Sequence, residues 1–501
     1  SGSRALCFTG YQIIMTDYPV LTVTTFLPFL GALIILFFAH ERYTRWIALC
    51  TTLLTLTLST PLYWSFEKSS SALQFIEMAE WIPNWNVSYG MGVDGISLPF
   101  IFLATVLSIL CVCGSWTAVQ TRNKEFYAAL LVAETAMVGL FAATNLFLFF
   151  IFWELMIVPL FLLIGIWGGS GRVYAAVKFL IFTLAGSVLM LVGMIALYHN
   201  CGTLDFKALS SFQLQPSFQV WLFVAFLAAF AVKVPMFPVH TWLPDAHTEA
   251  PTAGSVILAG ILLKMGAYGF LRISLPILPE AVQIFLTPML FISAVAIVYG
   301  AYVTLVQTDV KRLIAFSSIS HMGFVTLGIF TLNQSGVEGA ILQMINHGIL
   351  SAGLFLCVGM IYERTHSREI KDYGGVGRAA PIYSSFLALF CLAATGFPGL
   401  NAFVGEFLII SSAFQTRVWL GVMAVWGVVL GTAYLVWLFY RMVMGKTNPG
   451  LESLQLELSI REVATLTPLV LLALCLGLYP ELVLSYLHAP VAELLAGGVT
   501  P

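Results

Sequence analysis

Charge is what this sequence has least of: 22 Lys and Arg and 24 Asp and Glu in 501 residues, or 9%. A soluble globular chain carries about 25% charged residues, so an ordinary soluble domain is excluded. The formal net charge of −2 removes the case for nucleic-acid binding, which rests on a basic surface. Eight cysteines are present without a Cys-x-x-Cys pair, and Cys111 and Cys113 lie inside an apolar run, so neither a disulfide framework nor a thiolate metal site is expected. Residues 1–14 are neither basic nor apolar enough for a cleavable signal, and Met15 is a candidate natural start. What is abundant is apolar. Hydrophobic residues make up 59%, with 39 Phe and 41 Gly, and the mean hydropathy is +0.94. Gly is commoner in membrane helices than in soluble ones. The expected class is an all-α polytopic membrane protein.

A bilayer-crossing helix needs roughly 20 mostly apolar residues. Candidate spans fall near 20–39, 46–64, 97–119, 126–143, 145–167, 174–199 and 218–242, then near 253–274, 282–306, 312–331, 338–363, 382–413, 418–443 and 464–487. The expectation is therefore about 14 transmembrane helices without a soluble domain. The longest connection, 65–92, carries Trp81, Trp85 and Tyr89, residue types that favour the membrane interface. Loops after odd-numbered spans hold 14 of the 22 basic residues, among them Arg42, Arg45, Arg364 and Arg368, whereas the opposite side holds five and the spans hold Lys178, Lys233 and Lys264. That bias places the odd loops inside and both termini on the non-cytoplasmic side.

Two spans are broken by proline. One reads Ala231-Val232-Lys233-Val234-Pro235-Met236-Phe237-Pro238 and the other Thr395-Gly396-Phe397-Pro398-Gly399-Leu400-Asn401. Proline removes an amide donor and clashes with the preceding turn. Unwound backbone at membrane depth survives only where protein buries it or a wet cavity receives it. The breaks lie five spans apart, which fits two inverted five-helix repeats. The expected organisation is a tail with helices 1–3 (1–125), a first repeat of helices 4–8 (126–274), a second repeat of helices 9–13 (282–443), and helix 14 with its tail (464–501).

Ionisable residues inside spans cost about 2.5–3.5 kcal/mol on insertion scales and usually mark an ion pathway. Glu154 has a full apolar turn on each side, Lys233 abuts the first break, and Lys264 is central in its span. Glu406 follows the second break, His347 is mid-span, and His321 is near the middle of its own. The bland alternatives are a structural Glu154–Lys233 ion pair, a core histidine at 347, and a polar patch of Ser317, Ser318 and Ser320 around His321. Lys264 is about ten residues from either interface, too far to snorkel. Glu134 and Lys178 are expected nearer the interfaces, in snorkelling or structural roles. His240, Asp245, His247 and Glu249 follow the first break, but their spacing matches no standard zinc pattern, and no metal site is expected.

The stretch AVKVPMFPVHTWLPDAHTEAPTAGSVILAGILLKMGAYG (231–269) resembles the antiporter-like M subunits of respiratory complex I, counterparts of mitochondrial NADH dehydrogenase subunit four. Supporting matches are FFIFWELMIVPLFLLIGIWG (149–168), DVKRLIAFSSISHMGF (309–324) and FPGLNAFVGEF (397–407), and the similarity runs from about Trp81 to about Tyr479. The resemblance implies fourteen transmembrane helices with two inverted five-helix repeats and a subunit that moves protons along a midplane chain. It assigns Glu154 and Lys233 as a charge-modulating pair, Lys264 as central relay, His321 and His347 as carriers, and Glu406 as terminal station. It implies no cofactor in this chain, with NADH, FMN, iron–sulfur clusters and quinone held by partner subunits. Implied partners are the L-type and N-type antiporter-like neighbours, the hydrophilic redox arm and membrane lipids. The implied location is a bacterial cytoplasmic or mitochondrial inner membrane. Alternatives are an Mrp-type cation/proton antiporter subunit and a ferredoxin- or hydrogenase-linked pump. The carboxylate at 406, together with TAGSVILAGILLK, favours the M type, since N-type and L-type subunits and Mrp-class antiporters usually place Lys there.

Overall fold

The computed structural model describes residues 19–451 and 454–497, so Met15 and the segment before it lie outside the described residues. Twelve of the described helices are long and apolar enough to cross a membrane. Two shorter apolar helices, Leu98–Gly114 and Pro381–Ala394, stand where the third span and the first half of the twelfth were expected.

Burial sorts these helices into a centre and a wrapping. Val310–Phe330 and Gln334–Thr365 are buried along the whole of their most apolar window, and Thr252–Ile277 along 94% of it. Val20–Phe37, Arg172–Cys201 and Val418–Val443 are buried over 44%, 39% and 39%. A helix apolar on every side belongs in the interior, and one with a single buried stripe turns its other face to lipid. The ionisable residues of interest sit on or against the central set.

Local chemistry fixes where helices begin. Asn145 accepts from Leu148 N at 2.8 Å, Asp309 from Arg312 N at 3.0 Å, and Asn333 from Gly336 N at 2.8 Å, satisfying amides that lack an intrahelical partner. Ser459 and Glu462 form a reciprocal capping box. Both proline breaks are present. Pro216–Lys233 ends at the first, and a short helix, Trp242–Glu249, follows. Pro381–Ala394 ends at the second, and Asn401–Thr416 resumes the run.

The structure departs from the sequence reading in three places. The connection 65–92 contains an antiparallel hairpin, β1 (Gln74–Ile82) with β2 (Val87–Val93), so the chain is not helical throughout. Glu77 of β1 accepts from Leu21 N at 2.7 Å and Thr22 N at 2.9 Å; the hairpin carboxylate thus caps the first helix, whose N-cap is a proline. Second, the central span Thr252–Ile277 contains two π-helical turns, Leu258–Leu262 and Phe270–Ser274. Third, the last span ends at Leu478, and a separate helix, Glu481–Ala496, follows Tyr479-Pro480.

Hairpin and core meet at an ion pair. Arg272, in the second π-turn, places Nη2 2.6 Å from Asp94 Oδ1, and the same oxygen accepts from Ser97 N at 2.9 Å. Removing one partner of a buried pair costs about 3–5 kcal/mol. Arg272→Ala should therefore lower the thermal midpoint of the detergent-solubilised protein strongly, and Arg272→Ala with Asp94→Asn should recover part of the loss. An unchanged midpoint in the single variant would refute this anchoring role.

Candidate functional site

Lys264 occupies a position that a regular α-helix would not provide. A π-turn spaces its hydrogen bonds five residues apart and often marks a functional site. Lys264 follows the turn Leu258–Leu262 and donates from Nζ to Ala259 O, five residues back, at 2.5 Å. The same Nζ lies 2.7 Å from His347 Nδ1. Lys264 is fully buried, so both partners come from the protein interior.

From His347 the chain of contacts continues. The His347 and His321 rings stand 5.7 Å apart between centroids at 50°. A cavity of about 20 Å³ touches both rings, together with Ser317, Ser318, Gln343 and Ser351. That volume admits about one water. His321 Nδ1 lies 3.3 Å from Glu406 Oε1, and Gln343 Nε2 donates to that oxygen at 3.0 Å. The serines do not hold His321: Ser317 and Ser318 donate to Ile314 O, and Ser320 to Ile297 O.

Glu406 is positioned by the second break. Gly396 has φ +72°, and a Cβ there would come 2.7 Å from Glu406 Oε2. Glycine is required twice over, for the left-handed backbone and for the room the carboxylate occupies. Asn346 Nδ2 donates to Asn401 O at 2.7 Å, fixing the restart of the helix against Gln334–Thr365.

Glu154 and Lys233 form a separate group. Lys233 is the last residue of Pro216–Lys233, is 1% exposed, and points Nζ at the Trp153 ring, 4.9 Å from its centroid. Trp153 is held by its indole N–H donating to Ser187 Oγ at 3.0 Å. Glu154 is half-buried at the joint between Leu146–Leu155 and Ile157–Trp167. Neither Lys233 Nζ nor Glu154 Oε1 has a hydrogen-bond partner among the described residues, and no direct ion pair joins the two side chains among those residues. The first break approaches the central helix at Gly266, whose added Cβ would lie 2.9 Å from Phe230 O and 3.0 Å from Lys233 Cβ. Of the six residues singled out in the sequence, four form one run of near neighbours, and two stand beside it.

Comparison with known proteins gives this geometry a family. A family model described as NADH:quinone oxidoreductase/Mrp antiporter, TM, matches residues 143–431. NADH-quinone oxidoreductase subunit M from Rhodobacter capsulatus is 46% identical over 496 residues, covering 95% of this chain and 96% of that one. The chain belongs to the subunit M family of NADH:quinone oxidoreductase. Chain 4 of NADH-ubiquinone oxidoreductase from Chondrus crispus is 44% identical over 479 residues, 95% of this chain and 97% of that one. A chain of respiratory complex I from Thermus thermophilus superposes with TM-score 0.87 at 29% identity, covering 95% of this chain and 99% of that one. A chain of the Mrp complex from Dietzia sp. DQ12-45-1b, at 22% identity and TM-score 0.82 over 94% of this chain and 52% of that one, shares the fold.

Within this subunit M family member, the residues after the first break do not converge. Asp245 pairs with Lys178 at 2.7 Å and Arg312 at 3.5 Å; Glu249 lies 3.7 Å from Arg368. His240 packs edge-on against Tyr299, while His247 stacks on Phe355 at 4.7 Å. No group of three or more His, Cys, Asp or Glu that could hold a metal occurs among the described residues. Lys178 is partly exposed and ion-paired with Asp245. Glu134 corrects the sequence reading: it is 0% exposed, and neither carboxylate oxygen has a partner among the described residues. Its helix, Asn123–Ala142, is buried along 89% of its most apolar window, which leaves the side chain no route to an interface. Sequence reasoning also missed Gln343 and Asn346, whose amides were a readable signal, since uncharged polar groups inside a span must find a buried partner.

The two glycines of the second break separate backbone strain from crowding of the carboxylate. Gly399 has φ +89° and nothing within 4 Å of an added Cβ. Gly399→Ala should cost about 1–2 kcal/mol for the left-handed backbone and leave turnover of the assembled enzyme near the parental rate. Gly396→Ala should cost at least as much and also lower turnover, because its methyl displaces Glu406. Thermal midpoints and quinone reductase rates measured on the same preparations check this, and equal turnover in the two variants would refute it.

Proposed function

We propose that this chain is the proton-translocating M subunit of a complex I, carrying protons through the midplane run Lys264–His347–His321–Glu406 under control of the Glu154–Lys233 pair. The supporting observation is the run itself: an amine and an imidazole 2.7 Å apart, two imidazoles 5.7 Å apart, and an imidazole 3.3 Å from a carboxylate. These are distances over which protons pass directly or through one water. Redox energy enters from elsewhere. NADH, FMN, iron–sulfur clusters and quinone belong to partner subunits of the hydrophilic arm, and L-type and N-type antiporter-like subunits flank the chain in the membrane. The reading includes fourteen transmembrane helices, counting the two shorter ones, in two inverted five-helix repeats (126–274 and 282–443) with one proline break in each. It places the protein in a bacterial cytoplasmic or mitochondrial inner membrane with both termini outside.

The Glu154–Lys233 pair supplies the control. A carboxylate that shifts relative to an ammonium changes the proton affinity of both, and each pKa unit is worth about 1.4 kcal/mol. Moving one charge against 100 mV requires about 2.3 kcal/mol. A displacement that changes affinity by a few units is therefore enough to drive one proton. Glu154 sits at a helix joint and Lys233 at a helix break, where backbone movement is least hindered by intrahelical bonds.

In the intact complex reconstituted into vesicles, Lys264→Ala and the Glu154→Gln, Lys233→Ala double variant should abolish most NADH-driven proton pumping, and quinone reduction with it where the two are tightly coupled. Glu406→Gln should slow both less severely. Parental pumping by an assembled double variant would reject the mechanism while leaving the family membership intact.

A further inference from the structure

Resting on that reading, we infer that Glu338 and His488 form the outward end of the proton route, handing protons from the central run to the non-cytoplasmic water. Under the proposed topology the connection before Gln334–Thr365 and the C-terminal tail both face outward. Glu338 lies in the first turns of that helix, nine residues before His347, or about 13 Å nearer the outer surface, and five residues before Gln343, the residue bonded to Glu406. Its side chain is 8% exposed. A buried carboxyl so close to the end of the route is well placed to receive a proton and poorly placed for lipid or solvent contact.

What connects it to water is the helix Glu481–Ala496, the element absent from the sequence reading. This helix lies against the outer ends of several others. Tyr486 packs on Phe66 with ring centroids 5.5 Å apart, and its ring receives Lys68 Nζ at 4.3 Å. An added Cβ on Gly95 would collide with Tyr486 O. So seated, the helix sets His488 Nδ1 3.0 Å from Glu338 Oε1, with the other ring nitrogen, Nε2, 3.7 Å from Glu481 Oε2. His488 and Glu481 are 49% and 50% exposed. The imidazole therefore has one nitrogen on a buried carboxyl and the other beside an exposed one. Gln334 Nε2 donates to the same Glu338 oxygen at 2.8 Å, orienting the carboxyl towards the ring.

Polar side chains also gather at the outer end of the helix that carries Glu338. Ser412, six residues past Glu406 on its helix, lies 2.8 Å from Thr331 Oγ1 and 2.6 Å from Asn333 Oδ1, at the turn that leads into Gln334 and Glu338. The step balances without electron transfer. The Glu338 acid O–H bond breaks and a His488 Nδ1–H bond forms. The imidazolium then loses its Nε2 proton to outside water, and tautomer exchange resets the ring.

A contact of this kind could serve only to clasp the helix, so the test must separate a clasp from a relay. His488→Gln keeps a hydrogen-bonding side chain and cannot carry a proton; His488→Ala opens a half-exposed site that added imidazole can enter. In the intact complex in vesicles, NADH-driven charge movement is read with a potential-sensitive dye, which imidazole buffering does not disturb. We expect a loss on the order of tenfold in His488→Gln, His488→Ala and Glu338→Gln, less than the ~100-fold of an obligate transfer group because outside water has partial access. Imidazole at millimolar concentration should restore most of the His488→Ala rate. Parental rates in His488→Gln, or loss in His488→Ala that imidazole does not relieve, would overturn the exit assignment. If Lys264→Ala has lost its charge movement in the same assay, the exit assignment alone is overturned and the proposed function stands. Parental pumping by Lys264→Ala would instead reject the proposed function itself.

Discussion

The amine of Lys264 has to be satisfied from within the protein, and much of the structure follows from that requirement. In the hydrocarbon region no solvent is available to a polar group, so every partner must be built in. A regular helix would spend the Ala259 carbonyl on its own ladder. The π-turn at Leu258–Leu262 instead brings that carbonyl within 2.5 Å of Nζ, and the neighbouring helix supplies His347. His347 then meets His321, and His321 meets Glu406. Lys264 and His347 partner one another, as do His321 and Glu406, and the two imidazoles stand side by side between them, so polar groups that would each be costly alone share one buried site.

The proline breaks serve the same requirement from either side. The second leaves Gly396 with no side chain at the point where the Glu406 carboxylate needs room. The first ends a helix at Lys233 and lets it approach the central helix closely at Gly266. The short helix that follows is tied down by charge: Asp245 to Lys178 and Arg312, Glu249 to Arg368, with Arg368 also donating to Thr248 O. Lys311 donates to Ala250 O at 2.7 Å. An interrupted backbone has fewer ladder bonds to hold it, and these side chains replace them.

Helices at the periphery contribute an exposed apolar face and surface cover. Val20–Phe37 and Val418–Val443 bury one face and present Phe, Leu, Trp and Val on the other, as with Leu30, Phe37, Trp426 and Trp437. The hairpin and the helix Glu481–Ala496 are cover of a different kind. Both lie across helix ends, where backbone groups have lost their intrahelical partners, and Glu77 shows the benefit by accepting two of the first helix's free amides.

Much of this was legible in the amino-acid sequence, and the reason is contrast. A charge in an apolar span stands out because it is expensive, so Glu154, Lys233, Lys264 and Glu406 were visible without coordinates, as were the two breaks, since proline cannot continue a helix. Glu134 was misplaced because distance along a span says nothing about how many neighbours surround it. The π-turns, the hairpin and the terminal helix were missed for a related reason: each exists through partners remote in sequence, Lys264 with His347, Glu77 with Leu21, His488 with Glu338. The sequence by itself determined that this is a membrane protein with costly charges at membrane depth. Which of those charges touch was decided only by tertiary structure, because hydropathy acts residue by residue whereas a hydrogen bond is made across a few ångströms between chains of atoms that the fold alone brings together.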